Sequence, residues 1–211
     1  MRTAVAALSP ANLPSRPYTI HDVVELNRDR WPRYEVLGGT LVVSPAPMSD
    51  HQIFSDNLQT LLAVNAPDRE ITLSAPNLRL ARDENGVIPD LVVFPPETDT
   101  VRRTWFEADE TLAVVEIVSP GNRLNDRVTK PVVYAESGIP FYVRVELAPF
   151  PGQGGGRLPI VLVHELRTGA YQEVERLTAG RPGTLTRPFA VGFDPADLLD
   201  PHFQQSLFRP R

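Results

Sequence analysis

Two short stretches, residues 87–94 and 112–118, are apolar at nearly every position, and each is interrupted by a single acid. A strand with one wetted face alternates apolar and polar side chains, whereas a near-continuous apolar run needs cover on both faces. Both runs therefore belong at the centre of a β-sheet flanked by helices, which is an α/β arrangement. Their acids, Asp90 in Val-Ile-Pro-Asp-Leu-Val-Val-Phe and Glu116 in Leu-Ala-Val-Val-Glu-Ile-Val, then stand where a carboxylate is expensive. A buried ionised carboxylate costs several kcal/mol unless it is paired, hydrogen-bonded or bound to a metal. If the two strands are neighbours, both acids can face one hard cation such as Mg²⁺ or Mn²⁺, which prefers oxygen ligands. The competing reading is plain ion pairing with arginine, which supplies every one of the 21 basic residues except Lys130. Glu35, in Tyr-Glu-Val-Leu-Gly-Gly, is a third candidate acid. Lys130 follows Glu116 by 14 residues on a segment that returns along the sheet, so its ammonium can approach the same place.

The rest of the chain supplies the cover. Residues 1–18, with Pro10, Pro14 and Pro17, are expected to form a flexible lead-in, residues 19–193 the folded domain, and residues 194–211 an irregular tail. Thr19 offers an N-cap to a short helix ending before Pro32. Residues 33–37 and 40–44 are strand patterns joined by Gly38-Gly39, a two-residue hairpin turn that needs positive φ. Ser49 and Gln52 make a capping-box pattern ahead of Phe54, Leu58, Leu61 and Leu62, which recur at helical spacing. Further strands are expected at 71–74, 77–81 and 140–147, with an antiparallel pair at 160–166 and 171–177 after a Pro/Gly loop. Residues 125–137 are helical up to Gly138. Within them Pro131 either kinks the helix or sits in the first turn of one capped by Thr129.

Composition narrows the function. With no cysteine, disulfides, zinc–thiolate sites and thiol catalysis are excluded. No run approaches the roughly 18 apolar residues of a membrane span, and no secretory leader is apparent, so a soluble cytoplasmic protein is expected. A net charge of −5 argues against nucleic-acid binding by bulk electrostatics and leaves room only for a locally basic groove. His51, in the first turn of a helix, reads first as a polar surface residue. The glycines of 152–156 lack a following Lys-Ser/Thr pair and read as a hairpin loop, while Trp31 and Trp105 are available for base stacking or burial.

The series Arg33-Tyr-Glu-Val-Leu-Gly-Gly-Thr-Leu-Val-Val-Ser-Pro-Ala-Pro, His51-Gln, Ile88-Pro-Asp-Leu-Val-Val, Val115-Glu-Ile-Val-Ser-Pro-Gly and Asp126-Arg-Val-Thr-Lys-Pro, followed by Tyr134-Ala-Glu-Ser-Gly-Ile-Pro-Phe-Tyr, resembles the Uma-two family of endonucleases. That family is a branch of the PD-(D/E)XK restriction-endonuclease-like superfamily. The resemblance implies a mixed central sheet flanked by helices, with additional antiparallel strands, and a divalent-metal site. It makes Asp90 and Glu116 metal ligands, Glu35 a further acid at the metal, and Lys130 the catalytic lysine. The implied activity is Mg²⁺- or Mn²⁺-dependent hydrolysis of DNA phosphodiesters, and cutting both strands favours a homodimer. One departure stands out. The superfamily lysine normally lies two residues beyond the second acid, where this chain has Val118, and Lys130 fits a relocation to the next helix. The alternative function is a nuclease-like fold that binds or regulates without catalysis, its metal site vestigial.

Overall fold

The two acidic apolar runs do become adjacent strands. The computed structural model describes residues 16–28, 33–44, 46–82, 84–119, 121 and 123–208. The run at 87–94 is divided between β5 (Gly86–Val87) and β6 (Leu91–Phe94), while the second run forms β8 (Ala113–Val118). β6 and β8 pair antiparallel with Leu91 opposite Val115, a register that carries the next position, Asp90, level with Glu116. β8 pairs parallel with β9 (Phe141–Glu146). A parallel pair needs a crossover, here provided by the helical segment that includes α3 (Lys130–Glu136). With β3 (Ile71–Ser74), β10 (Ile160–Arg167) and β11 (Ala170–Thr178), the mixed six-stranded sheet has the order β11-β10-β9-β8-β6-β3.

A second, five-stranded sheet has the order β2-β1-β5-β4-β7. It joins β1 (Arg33–Leu37) and β2 (Thr40–Ser44) to β5, β4 (Leu78–Arg79) and β7 (Phe106–Glu107). The one run expected at 87–94 thus serves both sheets, and Pro89-Asp90 lies at the crossing. Proline cannot donate to a strand ladder, which makes this a natural place to change sheets. The β1–β2 turn uses Gly38 and Gly39 at φ +56° and +72°, as the sequence requires.

Alternation along β8 sorts its side chains between two cores. Ala113, Val115 and Ile117 face α2 (Ser49–Asn65) through Phe54, Leu58, Leu61 and Leu62. Val114 joins Leu78, Tyr134 and Tyr142 in the other cluster. Glu116 shares the parity of Val114, so its carboxylate falls on the side of α3. Because Phe54 is fully buried between α2 and the sheet, Phe54→Ala is expected to cost about 3–5 kcal/mol of stability, read as a lower urea midpoint at unchanged m.

Helix α1 (Ile20–Leu26) starts after Thr19, whose N–H donates to Asp22, and ends before Pro32 as expected. Several local expectations change. Met48 rather than Ser49 caps α2, because the chain is already helical at Ser49. The tail after Asp194 is not irregular throughout: it contains a 3-10 helix, Pro195–Leu199, and α4 (Phe203–Leu207). Apolar contact explains the order there, for Leu198 is fully buried in the α2 core and Asn57 donates to the Leu198 carbonyl. β12 (Gly183–Leu185) and β13 (Val191–Phe193) form a further antiparallel pair. The lead-in up to residue 15 and Trp31 lie outside the described residues, while Trp105 packs beside His21. Among the described residues no helix is long and apolar enough to cross a membrane.

Candidate active site

All four acid and lysine candidates from the sequence, Glu35, Asp90, Glu116 and Lys130, line one cavity of about 200 Å³, with walls from strands of both sheets and from α2. Lys130 is 2% exposed. Its Nζ stands 3.0 Å from Glu35 Oε1, 3.0 Å from Glu116 Oε1 and 3.5 Å from Asp126 Oδ1. Pro131 therefore does not carry the lysine away. In a regular helix its ring would press on the carbonyl four residues earlier, at Arg127. The turn ahead of it instead widens to a π-helix, Asn125–Thr129, and α3 continues with Pro131 in its first turn. The same turn directs both Asp126 and Lys130 into the cavity.

Each acid is held by donors from a different element. Glu35 accepts from Ser44 Oγ at 2.9 Å and from the Ile88 N–H at 2.8 Å, tying β1 to the segment leading into Asp90. Asp90 Oδ2 accepts from the Ile117 N–H at 2.7 Å and lies 3.2 Å from His51 Nε2. Glu116 Oε1 accepts from Tyr134 Oη at 2.5 Å as well as from Lys130. The Asp126 carbonyl accepts from Tyr142 Oη, so this tyrosine on β9 pins the π-turn to the sheet.

His51 and Asp126 also line this cavity, beside the four residues that the sequence singled out. His51 is buried rather than a surface group, and meets Asp90 from the first turn of α2. Asp126 is 3% exposed and faces the same space. The available signal was its spacing of four from Lys130, which places the two on one helical face.

The electrostatics follow from four buried or half-buried carboxylates around one ammonium. Burial raises the Glu116 carboxyl well above its ordinary range, with Lys130 pulling the other way and neighbouring acids adding to the rise. Burial likewise pushes Asp126 up to about 7, against the pull of Lys130. For Lys130, burial alone would lower the pKa, but Glu116, Glu35 and Asp126 outweigh it and keep the amine firmly cationic. Burial also opposes protonation of His51, and the Asp90 hydrogen bond and charge reverse that into a net rise. The lysine is thus charged, and its charge is shared among more acids than it can neutralise.

Among the described residues no three acids or histidines converge into a ready-made cation site, since Lys130 already stands between Glu35 and Glu116. The donor chemistry nonetheless fits a hard divalent ion: oxygen ligands, surplus negative charge, and a buried Asp126 Oδ1 with no hydrogen-bond partner.

A mixed sheet whose inner strands bring a Pro-Asp level with a Glu, with a lysine returning from the next helix, defines a restriction-endonuclease-like architecture. The family model Uma2, described as "Putative restriction endonuclease", matches residues 20–200, and the chain belongs to that family. Among solved structures it is similar to a protein from Anabaena variabilis described as a "putative nuclease". The two share 17% identity at a TM-score of 0.65, over 88% of this chain and 99% of that one, which is a likeness of fold. Among curated proteins none matches.

Proposed function

We propose that this protein is a divalent-metal-dependent endonuclease that hydrolyses DNA phosphodiester bonds in the cavity between its two sheets. The observation that carries the reading is the convergence of Lys130 Nζ on Glu116 and Glu35, 3.0 Å from each, in the cavity that Asp90 also lines. Membership of a family described as "Putative restriction endonuclease" supports it.

Asp90 and Glu116 would hold Mg²⁺ or Mn²⁺ with Glu35 alongside. Bound there, such an ion neutralises phosphoryl oxygens and acidifies water. The chain's own groups supply the rest. Lys130, kept cationic by its acids, is a buried point charge able to donate to a phosphate oxygen as negative charge grows on it. Tyr134 orients the Glu116 carboxylate through its hydroxyl, and the Ile117 N–H and His51 orient Asp90. Ser44 and the Ile88 N–H fix Glu35. Because these donors come from both sheets and both flanking helical segments, the acids are positioned before any substrate arrives. Cutting both strands of a duplex would use two copies of the chain.

The test is incubation of purified protein with supercoiled plasmid in Mg²⁺, in Mn²⁺ and in EDTA. Nicking or linearisation that EDTA abolishes is the expected result. Plasmid left intact in both metals, with DNA still bound, would instead favour a non-catalytic binding module.

A further inference from the structure

We propose that Asp126 is an additional cation-holding acid of this site, adding a fourth carboxylate to the environment of the divalent ion beyond Asp90, Glu116 and Glu35. The inference rests on the metal-dependent reading given above and specifies how the site meets its ion.

Asp126 Oδ1 is fully enclosed and has no hydrogen-bond partner, which is uncommon for a buried carboxylate oxygen. Its neighbours do not satisfy it. The nearest cation, Lys130 Nζ, lies 3.5 Å away, a longer approach than the 3.0 Å contacts the same ammonium makes with Glu35 and Glu116. Glu35, Asp90 and Glu116, by contrast, each accept a hydrogen bond from a side chain or a backbone N–H. The surrounding structure holds Asp126 in place through its backbone. Tyr142 Oη donates to its carbonyl, and the adjacent Arg127 is clamped to the buried Glu146 at 2.9 and 2.6 Å. Asp126 lies in the π-turn Asn125–Thr129, and such turns recur at functional sites. A carboxylate fixed from behind, with a buried oxygen approached only at 3.5 Å by an ammonium and facing a cavity rich in oxygen ligands, is suited to a hard cation.

The experiment titrates Mn²⁺ into EDTA-stripped, full-length protein by calorimetry at about pH 8, where an unpaired acid is ionised. It compares the unmutated protein, Asp126→Asn, and Asp56→Asn, which changes another acid lining the cavity. The expected result is an Mn²⁺ affinity about tenfold or more weaker in Asp126→Asn and nearly unchanged in Asp56→Asn. Asp126→Asn should also stay folded without metal, because Lys130 keeps its 3.0 Å contacts with Glu35 and Glu116, and Asp126→Ser repeats the measurement should the amide disturb the fold. Equal Mn²⁺ affinity in Asp126→Asn and the parent would overturn the assignment while leaving the metal-dependent reading intact. Equal weakening in both variants would also overturn it, by reducing Asp126 to a contributor to the general field. Failure of the parent itself to bind Mn²⁺ would remove the underlying reading and the assignment together.

Discussion

Lys130→Met loses both activity and metal-free stability. Its ammonium is the one buried cation among Glu35, Glu116 and Asp126, and methionine fills similar volume without charge. Removing one partner from a buried ion network leaves uncompensated carboxylates and costs about 3–5 kcal/mol. The loss should be greatest at alkaline pH and should shrink on acidification, because Glu116 and Asp126, already raised by burial, take up protons in its place. The lost donor should lower the cleavage rate by about 10²–10³ at saturating metal. Urea unfolding in EDTA at several pH values, together with single-turnover cleavage, reads both effects. A variant as stable as the parent at every pH would show that the lysine does not compensate these acids.

Glu116→Gln separates activity from stability in the opposite sense. The amide can still accept from Tyr134 and Lys130, but it forfeits the charge that a cation would need, so cleavage should fall by about 10² or more. The metal-free protein should remain folded with a flatter pH profile. In the parent, Glu116 and Asp126 titrate higher in the folded chain than in the unfolded chain, so the folded state holds more protons between about pH 4 and 7. Their contribution is present below the ordinary carboxylate range and is lost as pH rises, by about 1.4 kcal/mol per pH unit for each proton. His51, also raised, acts in the same direction above its ordinary range. Asp22, Glu110 and Glu173, held low by bonds to Arg16, Arg103 and Arg176, act in the opposite sense at more acidic pH. Stability in EDTA should therefore fall from about pH 5 to 8 in the parent and fall less steeply in Glu116→Gln. Parallel profiles would mean that Glu116 is not a proton-holding group of the folded state.

Features written into local pattern were legible in the sequence. The bounds of β1, β2 and β3 follow from short apolar patterns and turn residues, and the glycine turn from its need for positive φ. Asp90 and Glu116 stood out because each breaks an otherwise apolar run, and their proximity required only that the two strands be neighbours. Other features depend on tertiary packing. The passage of residues 87–94 from one sheet to the other is signalled only by Pro89, since both pieces are apolar for the same reason. Asp126 stands between an asparagine and an arginine, a stretch that reads as a solvated helix start until the π-turn and Tyr142 enclose it. His51 follows an aspartate in a helical first turn, and its burial depends on Asp90, a residue far along the chain. Lys130 was chosen by being the only lysine and by family resemblance. Its 3.0 Å approach to Glu116 depends on a helix that tolerates Pro131 by widening one turn before it.

On the proposed reading, this cavity hydrolyses DNA with a metal held by Asp90 and its partners. The most direct measurement is cleavage of supercoiled plasmid by the unmutated protein and by Asp90→Ala, purified side by side and assayed in Mg²⁺, Mn²⁺ and EDTA. Metal-dependent cleavage by the unmutated protein alone is expected, with Asp90→Ala still folded by circular dichroism. Equal metal-dependent cleavage by both proteins would contradict it.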